Sequence, residues 1–496
     1  CIRQQGTTYY FCEDGVVLQY DFAEGFYNFF QMPYINRNDV LPTVKWMKSA
    51  VFYQIFPERF CNGNKENDPD WVKPWGYHTV SNLDFYGGDL DGIRQKLPYL
   101  QELGITGLYL TPVFESPSSH KYDTTDYRKI DPGFGDEETM KLLVKEAHDR
   151  GIRVMLDGVF NHVGRGFWAF QDVLEKKWDS PYKDWFHISF DGNSNYNDGL
   201  WYEGWEGNYD LVKLNLRNED VIQHIFAAIK GWVEEFDIDG LRLDVAYCLD
   251  HDFLRRLRSF CDSLKPDFFL VGETLHGDYN QWMNDSMLHS VTNYECYKGL
   301  YSSFNSMNMF EINHSLLRQF GPDNWTLYKG KHLLCFVDNH DVTRIASILT
   351  NEKHLPLIYG MLFGMPGIPC VYYGSEWGAK ARKEEGDPAL RACFDAPEWN
   401  DLSETISRLS EIKKDSEALN YGSFRSVLLT NRQCIFERKS EHERIYVAIN
   451  ADENSFHADF DAGCGTAQEL ITDTPHDFGG GTDLPGYSVA IWKMEH

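Results

Sequence analysis

The chain has 496 residues, 42% hydrophobic and 25% charged, which calls for two or three domains and fits a soluble globular protein. A formal net charge of −28 argues against a nucleic-acid partner and against anionic membranes, both of which are met by clustered Lys and Arg. No apolar run approaches the ~18 residues of a membrane-spanning helix, so none is expected.

In chain order, residues 1–45 read as the remnant of an N-terminal β domain. Its strands are Thr8–Cys12 and Val16–Tyr20, and it is joined onward through Gln31-Met-Pro-Tyr34 and Leu41-Pro42. From about residue 51, short apolar strands alternate with amphipathic helices. The strands are Val51–Phe56, Gly107–Leu110, Arg153–Leu156, Gly240–Leu243, Phe268–Val271, Val291–Tyr294, Leu333–Phe336 and Ile368–Tyr372. The clearest helices are Leu90–Leu103, Glu137–Arg150, Asp220–Phe236 and His251–Leu264, the third with Asn218 as its N-cap. Eight strands separated by helices close more naturally into a (β/α)8 TIM barrel, here residues 46–412, than into an open sheet.

The stretch from Asp157 to Asn218 is too long for a βα loop and is rich in Gly and Trp, so residues 163–217 read as an inserted subdomain. After Leu409 the pattern changes to turn-separated strands, Ser423–Leu429, Cys434–Lys439, Ile445–Ile449 and Tyr487–Met494, which form a C-terminal β-sandwich over 413–496. The eleven cysteines form an odd count without close repeated spacing, and several lie in apolar runs (Cys335, Cys370). They read as reduced thiols of a cytoplasmic protein, the alternative being an extracellular or cell-surface location if Cys1 is a processed N-terminus.

Three acidic residues each follow a short apolar strand: Asp244, Glu273 and Asp341. Strand C-terminal ends are where barrel enzymes keep their chemistry, and two carboxyl groups suffice for glycosidic cleavage. Arg242 lies two residues before Asp244 and so shares its face of the strand, where a guanidinium would keep a nucleophilic carboxylate ionised. Glu273 at an apolar strand end suits a proton donor with a raised pKa. Asn161 and His162, in Asp157-Gly-Val-Phe-Asn-His162, and His340, in Phe336-Val-Asp-Asn-His-Asp341, supply hydrogen-bonding groups for a hydroxylated ligand. Each motif alone reads equally as an ion pair or loop brace; the ordered set is specific.

Together these motifs resemble the conserved regions of the α-amylase superfamily, glycoside hydrolase family 13. Further segments carry the resemblance: Val51-Phe-Tyr-Gln-Ile-Phe-Pro-Glu-Arg-Phe60, Tyr86-Gly-Gly-Asp-Leu90, His120-Lys-Tyr-Asp123 and Val212-Lys-Leu-Asn215. They look like the cyclomaltodextrinase, neopullulanase and maltogenic amylase branch, with the insertion as domain B and the sandwich as domain C. The resemblance implies Asp244 as nucleophile, Glu273 as acid/base and Asp341 as transition-state stabiliser. It further implies that Arg242, His162 and His340 bind the sugar at subsite −1, that Tyr122 stacks beneath it, and that Asp387 and Arg391 hold the next sugar on the non-reducing side. The reaction implied is retaining hydrolysis of α-1,4 links in maltooligosaccharides, cyclodextrins, pullulan or starch, with the two carboxyl groups about 5–5.5 Å apart. A 4-α-glucanotransferase is the first alternative and a non-catalytic glucan-binding homologue a remote one.

The same branch suggests a structural Ca2+ held by oxygens of Asn62, Asn64, Asn67, Asp68, Gly87 and Asp89, although the family usually carries Asp at the position of Asn64. A second calcium site, known in other amylases, is not expected, because Cys248 stands where its His would be. Tyr247-Cys248 replaces Asn-Glu of the branch, Leu275 stands where Trp often follows, and the seventh-strand motif is closer to other amylases; the first two departures alter the acceptor side. The dimer often seen in the branch is possible but doubtful with so little of the N-terminal domain.

Overall fold

A computed structural model describes residues 1–12, 15–24, 44–76, 81–460, 462 and 465–494; the segments 31–34 and 41–42 read as joining pieces lie outside them. The chain divides into two compact units, Cys1–Pro42 and Thr43–His496. In the first, Ile2–Gln4, Thr7–Cys12 and Gly15–Val17 form a three-stranded antiparallel sheet, so the strand expected to reach Tyr20 stops at Val17.

The second unit holds a parallel sheet of eight strands: β1 (Phe52–Ile55), β2 (Gly107–Leu110), β3 (Arg153–Gly158), β4 (Gly240–Leu243), β5 (Phe269–Gly272), β6 (Ser290–Val291), β7 (Leu334–Phe336) and β8 (Ile368–Tyr372). They pair in the order β6-β5-β4-β3-β2-β1-β8-β7, and a parallel bridge between Thr292 and Leu334 brings the ends together into a nearly closed barrel. Strand alternation divides the core. Phe52, Tyr109, Met155, Val271, Phe336 and Cys370 pack together inside, while Tyr53, Leu108, Leu110, Leu156, Leu241 and Leu243 face the surrounding helices. Val44, Met47 and Ala50 join the inner cluster.

The sixth strand is shorter than its sequence suggested. Asn293 accepts a hydrogen bond from the Cys296 amide at 3.1 Å and caps a helix over Tyr294–Ser306, so the regular strand ends at Val291, with a single bridge at Thr292 beyond it, and Tyr294 is helical. The helix expected from Asp220 begins at Glu219, and the Asn218 side chain accepts from the amides of Asp220 and Val221 as an N-cap. Acidic Glu219 and Asp220 sit in its first turn, where the helix dipole favours them.

Between β3 and that helix the chain builds a small three-stranded antiparallel sheet from His162–Gly164, Asn208–Lys213 and Gly204–Trp205. Lys213 pairs with His162, so this insertion is anchored on the residues that leave β3. At the C-terminus a six-stranded antiparallel sheet is accompanied by a two-stranded one, Phe456–Ala458 with Thr482–Leu484. Ile435, Tyr446 and Trp492 of the larger sheet pack with Ala458 and Leu484 of the smaller.

Candidate active site

Parallel register decides who meets whom at the barrel mouth. Arg242 of β4 lies opposite Asp157 of β3 and Val271 of β5. Its side chain is inside and 3% exposed, so the charge has to find partners there. Arg242 Nη1 donates to both Asp157 oxygens at 2.9 Å and to Asp244 Oδ1 at 2.8 Å, while Nη2 lies 2.9 Å from Glu273 Oε1. One planar guanidinium thus holds three carboxyl groups on three neighbouring strand ends.

Each group is tuned by its place. Burial alone would pull the Arg242 guanidinium down, but Asp157 and Glu273 hold it firmly charged. Burial pushes Asp244 well up, with Glu273 and Asp157 adding to the shift against the pull of Arg242. Glu273 is also raised, by burial first and by the Asp341 charge, with Arg242 and the Val245 amide opposing. Burial thus outweighs the pull of Arg242 on both Asp244 and Glu273, contrary to the expectation that the guanidinium alone keeps Asp244 in its ordinary range. Asp341 is the counterpoint: burial would raise it, yet His340 and Arg391 hold it far below the ordinary carboxylate range.

The backbone after the fourth strand is bent for this geometry. Val245 adopts φ 41° and ψ 47°, a left-handed conformation uncommon for a β-branched residue. The bend lets the Val245 amide donate to Glu273 Oε2 at 2.9 Å, fixing the second oxygen of that carboxyl.

His340 is gripped from below. The Gln54 amide lies 2.6 Å from Nδ1, while Nε2 lies 2.7 Å from the Tyr122 hydroxyl and 3.0 Å from Asp341 Oδ2. Gln54 donating to Nδ1 assigns the ring proton to Nε2, facing Asp341. The Tyr122 and His340 rings are parallel within 6° at 5.8 Å, and the Tyr122 hydroxyl is also 3.0 Å from Asp157. Arg391 Nη2 reaches Asp341 Oδ1 at 2.9 Å, and its Nε donates to the His340 carbonyl at 3.2 Å. Asp387 pairs instead with Lys383, so Asp387 and Arg391 share the cleft but each has its own ionic partner.

Two of the buried polar atoms without a partner among the described residues are His162 Nε2 and the Trp205 indole nitrogen. Both residues line a cleft of about 460 Å³, together with Asp244, Glu273 and Asp341. His162 Nε2 stands 3.9 Å from Asp244 Oδ2, and burial lowers the His162 pKa to about 3, so the ring is neutral. Orphaned polar atoms aimed into a cleft are groups that a hydroxylated ligand satisfies.

Residues 54–425 match the family model for the α-amylase catalytic domain, three quarters of the chain. The chain belongs to the α-amylase family, glycoside hydrolase family 13. A maltogenic α-amylase of Bacillus acidopullulyticus is 37% identical over 89% of this chain and 76% of its own length. A cyclomaltodextrinase of Geobacillus thermopakistaniensis is 36% identical over 85% of this chain and 72% of that protein. Among solved structures, the cyclic α-maltosyl-(1→6)-maltose hydrolase of Arthrobacter globiformis superimposes with a TM-score of 0.81 at 30% identity, covering 92% of this chain and all of that one. The protein is a glycoside hydrolase.

Within this family frame, sequence reasoning missed several residues of the site. Asp157 was given no role of its own in its motif, yet it is the hub that accepts from Arg242, Tyr109 and Tyr122. Gln54, Tyr109 and Tyr294 sat inside apolar strand patterns and gave no signal of their own. Trp205 and Leu211 reach the cleft from the insertion, whose hairpin turns at Glu206 and Gly207, both with positive φ.

The oxygen ligands expected for calcium are partly gathered. Asn62 Nδ2 donates to both Asp68 oxygens at 2.8 and 3.0 Å, and Asn62 Oδ1 is a buried acceptor without a partner. Gly87, at φ 84°, closes the cradle, since a Cβ there would lie 2.1 Å from Asp68 Oδ1. Asp89 is otherwise engaged: its carboxylate accepts from the amides of Gly63, Asn64 and Gly92 and caps the helix Leu90–Glu102. Asn64 and Asn67 lie within 3.5 Å of each other through their side chains. The donor set is compatible with a hard cation, with Asp68 its available carboxylate.

Proposed function

We propose that this enzyme hydrolyses α-1,4-glucosidic bonds with retention, acting on maltooligosaccharides and cyclodextrins. The single observation that carries the reading is the Arg242 fork, which holds Asp244 and Glu273 on adjacent nitrogens while Asp341 stands across the cleft. Two carboxyl groups on one guanidinium favour the close spacing of a retaining pair over the wider gap that an inverting enzyme keeps for water.

In this reading Glu273, raised by burial, carries the proton to the leaving oxygen and Asp244 attacks the anomeric carbon. The covalent glycosyl-enzyme is then released by water that Glu273 deprotonates. Asp341, kept ionised by Arg391 and His340, steadies positive charge developing on the ring. His162, with its free ring nitrogen, and His340 bind sugar hydroxyls, while Tyr122 offers its ring to the flat face of the sugar. Arg391 and Asp387 line the continuation of the cleft. The names of the relatives support the substrate class, since they act as a maltogenic amylase and a cyclomaltodextrinase. A calcium ion at Asn62, Asp68 and Gly87, with Asn64, Asn67 and the Asp89 region around it, would pin the loop after β1.

Initial rates on β-cyclodextrin, pullulan and soluble starch test the substrate, with cyclodextrin expected to lead; a preference for starch would count against it. Proton NMR of the first product from maltotriose tests the stereochemistry, with the α-anomer expected and the β-anomer excluding retention. Asp244→Asn is expected to lower kcat by about 10³-fold or more. A loss under tenfold would remove Asp244 from the role of nucleophile.

A further inference from the structure

Arg391 grips Asp341 from a stretch of backbone that has no regular structure to steady it. It stands just past the short helix Asp387–Leu390, and residues 391–400 contain neither helix nor strand. Carbonyls in such a buried segment have no ladder partners and must find donors elsewhere. Three consecutive ones find them in buried side chains. Arg344 Nη2 and the Tyr372 hydroxyl each donate to the Leu390 carbonyl at 3.1 Å. Arg59 Nη1 donates to the Arg391 carbonyl at 3.0 Å, and the Tyr373 hydroxyl to that of Ala392 at 2.8 Å. The segment is thus pinned from β1, β7 and β8 at once.

Arg344 differs from the other donors in also belonging to the loop that carries Asp341. It is fully buried and lines no part of the catalytic cleft. Its Nη1 donates to the Tyr373 carbonyl at 2.8 Å and to Ser375 Oγ at 3.1 Å, and Ser375 in turn donates to Asp338 Oδ2 at 2.8 Å. A closed circuit results. Asp341 is joined along the chain to Arg344, Arg344 by Nη2 to Leu390, Leu390 by one peptide to Arg391, and Arg391 Nη2 back to Asp341 Oδ1 at 2.9 Å. Only a planar fork can serve the Tyr373 and Leu390 carbonyls together, which a lysine ammonium on a flexible stem does not reproduce.

We propose that Arg344 is a positioning residue for the reaction: through the Leu390 carbonyl it aims the Arg391 guanidinium at Asp341. This rests on the reading of Asp341 as the ionised carboxylate that steadies the developing charge. Arg344 itself touches no group of the cleft and acts only by where it holds Arg391.

The test is a double-mutant cycle on the full chain, with kcat and KM measured on maltotriose and folding followed by circular dichroism. Arg344→Met is expected to lower kcat by about 10²-fold, the cost of misplacing a catalytic group by an ångström. In an Arg391→Met background the same change is expected to cost less than about twofold, because no guanidinium is left to aim. Equal losses in the two backgrounds overturn the proposal, since that is what general loosening of the barrel rim produces. Arg344→Lys is expected to lose most of the same activity, and full activity in that variant overturns the role of the fork. Should Arg344→Met fail to fold, Tyr372→Phe takes its place, removing only the second donor to Leu390. It is expected to lower kcat about fivefold, the worth of one neutral hydrogen bond, in the parent and not in Arg391→Met; equal losses there overturn the proposal in the same way. Asp341→Asn keeps the two readings apart. If it retains kcat within about tenfold, the role of Asp341 fails, while the cycle still reports whether Arg344 acts through Arg391.

Discussion

Buried cations at two places in the second unit live by opposite rules. At the barrel mouth Arg242 faces the carboxyl groups of Asp157, Asp244 and Glu273. Between β8 and the C-terminal sheet, Lys413 and Arg438 are equally buried but meet only carbonyls. Lys413 donates to Leu419 at 2.7 Å and Gly367 at 3.2 Å, and Arg438 to Gly364 and Gly422 at 3.0 Å each. Burial accordingly pushes Lys413 well down and Arg438 to about 9, whereas Arg242 stays firmly charged. A buried charge surrounded by opposite charges in excess is arranged for chemistry. One that only ties off chain ends is arranged for architecture, and desolvation sets its proton.

The sharpest way to break the contrast is Arg242→Lys. A lysine keeps one charge but cannot fork between Asp244 and Glu273, so both carboxyl groups lose their fixed spacing and their shared counter-charge. We expect kcat/KM to fall about 10³-fold or more, on the scale of removing an electrostatic element of an active site, with a folded protein by circular dichroism. A loss below tenfold would show that the fork is dispensable and would return Arg242 to the architectural class.

The same contrast marks what could be read from sequence. Seven of the eight barrel strands were visible within a residue or two, because a parallel strand buried on both faces is a short apolar run with little competing pattern. The sixth was overcalled because Asn293 works as a helix cap, a local side-chain bond that outweighs the β-branched signal of Val291-Thr292. Asp244, Glu273 and Asp341 were legible as acids breaking apolar runs. Asp157 was not legible as a hub, because its role depends on the β3–β4 register, which pairs residues 85 apart in sequence. Trp205 was hidden for the same reason, being delivered by the insertion onto the ring of His162 at 5.8 Å.

The second cation pair predicts a smaller, thermodynamic effect. Lys413 has a folded-state pKa depressed below its ordinary 10.5, so between the two values the unfolded chain binds the extra proton. Stability therefore rises with pH across that window and is lowest below the folded pKa, where burying the ammonium is fully penalised. Lys413→Met removes the proton and with it this slope. Melting temperatures of parent and variant, followed from pH 7 toward pH 10, should rise less with pH for the variant. Parallel curves would mean that Lys413 keeps its charge when buried.

The smallest expected effect concerns the cradle of Asn62, Asp68 and Gly87, a third arrangement in which charge is scarce. Calcium affinity rises with the number of carboxylates, and here Asp89 is taken up by three amides while Asn62, Asn64 and Asn67 are uncharged. One available carboxylate points to weak binding, with a Kd of about 10⁻⁴–10⁻³ M. Linkage then makes stabilisation visible only when free calcium exceeds that range, since it grows as the logarithm of [L]/Kd. Millimolar calcium should raise the melting temperature by a few degrees, a chelator should reverse the rise, and Asp68→Ala should abolish it with kcat changed less than twofold. The last condition separates a pinned loop from a catalytic metal: Asp68 lines a separate cavity and not the cleft of Asp244 and Glu273, so an ion there acts on the stability of the rim and not on the bond being cut.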